Sequence, residues 1–344
     1  DTLRGVAFGN GIFVAVGDYG RTVTSPDGIN WELNQQQVVY ETLRGVAYGN
    51  GTFVAVGNYG VGATSADGIN WSVNYITGTN INGVAFGDNT FVAAIGDEYG
   101  YYGTIFTSAD GVTWTEGDSA YTQHSLSGIT YANSTFVAVG FNGTILTSSS
   151  EVSSFYESTQ LSLYNLDDDF PTDVTVAVSS SNTGEATVDT ATLTFTPDNW
   201  MNAQTVTVTG VDDNDMDGHR DYQVGLSSEI LKVISAGNSW SSQNTGFVQE
   251  GIKGVAYGNN TFVAVGENGV ILTSSDGSTW NQQYSSSQST LNGITFGNNT
   301  FVAVGEYGVM VTSPDGTNWE NQSQVIWDTL RGVAFGNGIF VAVG

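Results

Sequence analysis

Apolar and polar positions recur along this chain in one order. The stretch Leu3–Trp31, LRGVAFGNGIFVAVGDYGRTVTSPDGINW, sets it. An apolar run comes first, then a Gly-Asn-Gly turn, a short run apolar throughout, a second polar turn, a Thr/Val run and a closing tryptophan. The order returns at Leu43–Trp71, Ile81–Trp114, Ile252–Trp280 and Leu291–Trp319. Leu126 opens another copy that breaks off at Ser149, and its missing end, GNSW, stands at Gly237–Trp240. A last copy runs from Leu330 to Gly344 and holds only the first half of the pattern. The starts are 40, 38, 45, 126, 39 and 39 residues apart. Taking roughly 86 residues out of the long interval leaves about 40, the length of one radial repeat.

The pattern predicts four short strands per copy. Strand A is LRGVAFG. The turn after it contains Asn10-Gly11, a pair that tolerates positive φ at both centres of a two-residue hairpin turn. Strand B, IFVAVG, is too short and too β-branched for a helix, and its apolar run suits a strand buried on both faces. Strand C is RTVTS. Ser25-Pro26-Asp27-Gly28 then turns the chain, and strand D begins near Trp31. A four-stranded sheet that is apolar on both faces needs a neighbour on each side, and radial repetition supplies those neighbours. The expected fold is all-β, a β-propeller of six complete blades plus a half blade. Two rings stay open: a seven-bladed ring with its last blade incomplete, or a six-bladed ring with an overhang.

The motif S-x-D-G-x-x-W stands at Ser25–Trp31, Ser65–Trp71, Ser108–Trp114, Ser274–Trp280 and Ser313–Trp319. It resembles the Asp-box of sialidase-type propellers, and the copies resemble the glycine-rich blades of the photosystem II assembly-factor propellers. The resemblance implies a fold more than a function, because Asp-boxes recur in enzymes, lectins and scaffolds. The local chemistry assigns Asp27, Asp67, Asp110, Asp276 and Asp315 to turn structure. Each carboxylate is placed to accept backbone N–H groups two residues on, glycine takes the positive φ, and tryptophan packs over the turn.

An insertion is expected at residues 150–235, at the tip of the fourth copy's C–D hairpin, leaving 1–149 and 236–344 to the propeller. Hairpin tips are where compact domains tolerate insertions. Val174–Ser179, Ala191–Thr196 and Thr205–Val211 alternate with period two, as half-buried strands of a β-sandwich do. FTPDNW followed by QTVTVTGVDD resembles the Calx-β domain family. That resemblance implies calcium held by acidic loops at one end, with Glu157, Asp212 and Asp213 as ligands and Asp215 and Asp217 as candidates in the same loop. Asp167-Asp168-Asp169 is a further acidic run. Independently, Asp212–Gly218 puts four carboxylates in one glycine-ended loop, and Ca²⁺ takes six to eight oxygens. The Glu that would close an EF-hand loop is absent.

Charge narrows the partners. Lys plus Arg number 7 against 34 Asp plus Glu, a formal net charge of -27, and there is no cysteine. Such a chain has no basic surface to displace counterions from nucleic acid. It is disfavoured at anionic membranes, and no apolar run is long enough to span one. An acidic, lysine-poor chain suits a salty extracellular setting, where ions screen self-repulsion. It opens inside a blade without Met, as a processed chain or part of a longer one would. Asp1–Gly17 and Asp328–Gly344 are identical, DTLRGVAFGNGIFVAVG. A recent duplication or a longer array would each produce that identity, and self-association between neighbouring copies is the expected partnership.

Catalysis is not expected. A sialidase needs an arginine cluster and a Tyr nucleophile with an acidic partner. Here Arg4, Arg44 and Arg331 share one repeat position, Arg21 follows a B–C turn and Arg220 is in the insert. His124 and His219 lie in polar connectors. A binding surface is better supported: B–C turns share one face with the blade connectors, and they carry Tyr19, Tyr59, Tyr99 and Tyr307, three of them beside an acid. Aromatic rings among polar groups suit sugar faces or peptides. Sequons at Asn50, Asn70, Asn133, Asn142, Asn259, Asn298 and Asn321 are candidate glycosylation sites. The expected role is a non-catalytic extracellular structural or adhesive module stabilised by calcium, in a filament or surface array. The alternative is a carbohydrate-binding propeller acting through its B–C face.

Overall fold

The computed structural model describes residues 2–34, 38–97, 99–117, 121–149, 174–180, 186–196, 204, 206–210, 224–228, 239–243, 250–285, 287–323 and 326–344. Copy one forms an antiparallel sheet of Leu3–Gly9, Ile12–Gly17, Thr22–Ser25 and Glu32–Leu33, in that order. Copies two, three, five and six repeat it. Copy four borrows its fourth strand, Ser239–Gln243, from beyond the insert, with Ser148 paired to Trp240. The protein is a β-propeller with six four-stranded blades.

The hairpin and core chemistry follow from the repeat. Asn10 and Gly11 both take positive φ, 48° and 78°, as the tight A–B turn demands. Strand B is buried from its second residue on: Phe13, Phe53, Phe91, Phe136, Phe262 and Phe301 have at most 1% of their surface exposed. Each packs on the aromatic residue of its own strand A, as in Phe8–Phe13 with ring centres 4.7 Å apart.

Glycine sets how closely blades approach. A Cβ at Gly5 would lie 2.9 Å from the Arg44 carbonyl oxygen of the next blade, so strands A meet backbone to backbone around the axis. Further along the strand, Gly9 seats the ring of Tyr48 from the following blade. Both contacts recur at the last copy, whose strands Gly332–Gly336 and Ile339–Val343 form a two-stranded sheet. Cβ atoms at Gly293 and Gly332 would meet Arg331 O at 3.0 Å and Arg4 O at 2.8 Å, and Gly336 seats Phe8. Val341 and Val343 are buried with Phe13 and Ala15 of blade one. Leu330 is buried with Val302 and Val304 of blade six.

The chain divides into two compact units, residues 1–150 with 235–344, and residues 151–234. In the second unit Val174–Ser180 lies between Thr192–Phe195 and Val224–Ser228, and Ala186–Val188 pairs with Val208–Gly210. Val176 and Val178 are buried while Thr175, Ala177 and Ser179 are exposed, the alternation of a strand covered on one face.

Candidate binding face

Two faces of the propeller differ in chemistry. A–B and C–D turns meet on one: Asn259 Nδ2 donates to the Pro314 carbonyl at 2.8 Å. B–C turns and blade connectors meet on the other: the Gly143 N–H donates to Glu250 O at 2.9 Å.

On the first face the Asp-box carboxylates are consumed by their own turns. Asp27 Oδ1 accepts the N–H groups of Ile29 at 2.9 Å and Asn30 at 2.8 Å, and Oδ2 accepts Asn30 Nδ2 at 2.7 Å. Ser25 Oγ accepts the Gly28 N–H at 2.8 Å, and Trp31 Nε1 donates to Gly28 O at 3.1 Å. The two backbone bonds to Oδ1 recur at Asp67, Asp110, Asp276 and Asp315, and the side-chain amide bond to Oδ2 recurs at Asp67 and Asp315. Donated N–H groups favour the ionised form. The amides of Asn30 and Ile29 hold Asp27 well below the usual carboxylate range, and those of Thr279 and Ser278 bring Asp276 down to about 2. Burial pushes Asp315 up, but the Asn318 and Thr317 donors outweigh it. A carboxylate held this way is a poor proton donor or acceptor near neutral pH.

Several sequons serve the turns as well. Asn50, Asn133, Asn259 and Asn298 take positive φ in A–B turns, and Asn142 does so in a B–C turn. Asn70 Nδ2 donates to Asp67 Oδ2 at 2.8 Å, and Asn133 Nδ2 to the Tyr257 hydroxyl at 2.7 Å. Asn321 lies in a short outer strand.

The second face is aromatic. Tyr19, Tyr59 and Tyr307 sit at the centre of their B–C turns with φ of 57°, 53° and 57°. That left-handed region costs an ordinary L-residue roughly 1–2 kcal/mol, and asparagine tolerates it better. Asn142 and Asn268 occupy the same position in blades four and five. The tyrosines do not recover the cost by burial, since they are 62%, 68% and 64% exposed. Tyr99 and Tyr101 project from the longer B–C loop of blade three. Tyr40, Tyr75, Tyr121, Tyr284 and Trp327 are exposed in the connectors or at the strand end leading into one. All exposed Tyr and Trp side chains among the described residues lie on this face. Exposed apolar residues of the Asp-box turns are aliphatic: Ile29, Ile69 and Val112. The B–C tyrosines are evident from the repeat. The connector aromatics recur less regularly: Tyr40 and Trp327 each stand three residues before the next copy, Tyr75 and Tyr284 each four after a tryptophan, and Tyr121 matches neither.

Basic residues gather at the same end. Arg4 Nε donates to Asp18 Oδ1 at 2.6 Å, and Lys253 Nζ lies 2.8 Å from Glu267 Oε1. Lys253 also sits over the Phe141 ring, 4.7 Å from its centre. Arg44 Nε donates to Asn58 Oδ1. In each of these blades the second residue of strand A is tied to the first residue of its own B–C turn, a link across 14 residues that sequence spacing does not announce. His124 meets Asn142 Nδ2 through Nε2 at 3.1 Å.

No group of three or more potential metal ligands occurs among the described residues. Glu157, Asp212, Asp213, Asp215 and Asp217, with Asp167–Asp169, His219 and Arg220, lie outside them.

The sequence matches no family model and no curated protein. Solved structures do match in fold. YCF48 from Cyanidioschyzon merolae superposes with a TM-score of 0.53 at 13% identity, over 100% of this chain and 92% of that one. A structure of YCF48 bound to D1 peptide gives 0.56 at 13% identity, covering 100% and 90%. The WD40 propeller domain of Doa1 gives 0.58 at 10% identity, covering 100% and 90%. At these identities the likeness is one of propeller architecture.

Proposed function

We propose that this chain is a non-catalytic recognition module that binds an extended polypeptide segment across its B–C face. The carrying observation is the trio Tyr19, Tyr59 and Tyr307, held in left-handed backbone with more than 60% of each residue's surface exposed. The fold is better served by asparagine there, so the ring itself is the feature retained. Exposed aromatics with paired charges of both signs between them suit a polypeptide, whose apolar and charged groups alternate. The similar propeller bound to D1 peptide supports this class of ligand. Adhesion through this face in an extracellular setting joins the surface to the acidic composition.

The ring in this reading has seven positions, the last copy filling the gap between blades six and one. Gly293, Gly332 and Gly336 support it, since they make there the contacts made at complete blades. The insert is a Calx-β-like sandwich holding calcium through Glu157, Asp212 and Asp213.

The test is binding of the chain to peptide and glycan arrays, compared with a variant carrying Tyr19→Asn, Tyr59→Asn and Tyr307→Asn. Peptide binding lost in the folded variant is the expected result. Glycan binding alone would favour the lectin reading. Unchanged binding in the variant would overturn the B–C face as the site.

A further inference from the structure

The B–C face is not uniform from blade to blade. In blades one and five a basic residue of strand A neutralises the acid that opens the B–C turn, Arg4 with Asp18 and Lys253 with Glu267. Blade three carries Asn82 at that place, and its amide donates to the Leu126 carbonyl at 2.7 Å instead. No Lys or Arg occurs from residue 81 to 125, a stretch that holds Asp97, Glu98 and Glu116.

Blade three also has the longer B–C loop, and the loop is fixed from within. Asp97 Oδ1 accepts the N–H groups of Tyr101 and Tyr102 at 2.8 and 3.1 Å, and the hydroxyl of the buried Ser125 lies 2.9 Å from it. Tyr101 stays 77% exposed, while Tyr102 turns toward Tyr121, with ring centres 6.0 Å apart and planes tilted by 54°. Glu116 stands in this corner: Thr104 Oγ1 donates to its Oε1 at 3.3 Å, and the hydroxyls of Tyr102 and Tyr121 bond to it as well. Blade two holds a simpler pair on the same face, the Tyr75 hydroxyl donating to Glu41 Oε1 at 3.1 Å. Burial and the charge of Glu116 raise the Tyr102 phenol, and bonds to Glu116 and Glu41 raise those of Tyr121 and Tyr75. These phenols therefore keep their protons near neutral pH. Among the described residues neither Glu41 nor Glu116 meets a basic side chain. An exposed ring beside a carboxylate attracts a cation twice, through the negative face of the ring and through the charge.

We infer, resting on the reading of the B–C face as a polypeptide site, that the bound segment is basic, with one Lys or Arg seated in the Tyr102–Glu116–Tyr121 corner and another against Tyr75 and Glu41. The formal charge of -27 draws such a segment to the chain, and the tyrosines give it an address.

The experiment titrates the whole chain into dye-labelled peptides of alternating Lys and Ser, Gln and Ser, or Glu and Ser, equal in length, and reads fluorescence anisotropy at one salt concentration. Saturable binding of the Lys peptide is expected, with the other two at least about tenfold weaker. Glu41→Gln with Glu116→Gln keeps acceptors for the phenols and removes the charge, and is expected to weaken the Lys peptide about tenfold, the scale of a lost charge-assisted hydrogen bond. Tyr121→Ala is expected to weaken it about threefold, the scale of an exposed cation–π contact. Glu32→Gln with Glu320→Gln removes the same charge from exposed outer strands and is expected to change binding less than about twofold. A Gln or Glu peptide bound as tightly as the Lys peptide overturns the inference and leaves the polypeptide reading standing. Equal weakening by the two glutamine pairs overturns it as well, because general charge would then account for the binding. Failure of every peptide to bind overturns both. The peptide series uses the unaltered chain, so a variant that fails to fold does not blunt the test.

Discussion

Asn337 donates its side-chain amide to the Pro26 carbonyl at 3.1 Å, across 311 residues of sequence. Asn259 makes the same bond to Pro314 between adjacent blades five and six. The last copy therefore makes with blade one a side-chain bond that blade five makes with blade six.

This relationship predicts the effect of Gly336→Ala. A methyl group there runs into the Phe8 ring, as Gly297→Ala runs into Phe335. Each substitution is expected to destabilise the propeller by about 1–3 kcal/mol through overpacking. Chemical denaturation of the two variants measures it. A silent Gly336→Ala beside a costly Gly297→Ala would mean that the ring is not closed by this copy.

Acid sensitivity follows from the Asp-boxes. Asp276 is held at about 2 by the amides of Thr279 and Ser278, and Asp27 lies lower still for the same cause. An unfolded Asp titrates near ~3.9, so below that pH the unfolded state binds more protons. Stability from these groups is present above about pH 4 and is lost as pH falls toward about 2. Thermal melts across this window are expected to show a falling midpoint. Asp276→Asn keeps an acceptor for the backbone amides and removes the ionisation, so it is expected to flatten part of that slope. Asp276→Ala is expected to lower stability at every pH.

The B–C tyrosines predict opposite signs for stability and binding. Tyr19→Asn, Tyr59→Asn or Tyr307→Asn relieves a left-handed backbone cost and removes an exposed ring. Each is expected to leave stability unchanged or raise it by up to about 1 kcal/mol, while weakening the proposed ligand. Denaturation curves and binding isotherms on the same preparations separate the two effects. Marked destabilisation would show that the rings serve packing.

Calcium is expected to act on the insert alone. If Asp212 and Asp213 hold the ion, a concentration 100-fold above the dissociation constant stabilises the insert by about 2.7 kcal/mol. Scanning calorimetry with and without EDTA should then move one transition and leave the propeller transition in place. Asp212→Asn combined with Asp213→Asn should abolish the shift. A chelator-insensitive profile removes calcium from the account.

The blade architecture was legible because the repeat is written in local chemistry. Asn10-Gly11 encodes its own turn, and Ser25, Asp27, Gly28 and Trp31 interact within seven residues, so their arrangement needs no knowledge of the ring. GNSW after the insert announces the strand that pairs with Ser148, because that end is missing from copy four. Ring size was not legible. The spacing of repeats fits six positions or seven, because it does not say which copies meet around the axis. The aromatic face was half legible. Tyr19 and Tyr59 recur with the blades, and Tyr40 and Trp327 share a place three residues before a copy, but neither the left-handed backbone of the first pair nor the exposure of the second follows from the spacing.

The aromatic-on-glycine seat makes the seams between blades nearly interchangeable. Gly9 takes Tyr48, Gly49 takes Phe86, Gly258 takes Phe296 and Gly336 takes Phe8 in much the same way. A collapsing chain built from such seams has no address in them: a ring from one copy fits the glycine of almost any other, and mis-registered closure is only weakly penalised. Identity between Asp1–Gly17 and Asp328–Gly344 sharpens the ambiguity, because either segment offers the same surfaces. Blade four is out of step, with Ala132 at the seat position and a hairpin opened by the insert. Among the copies, its seam alone lacks the glycine seat.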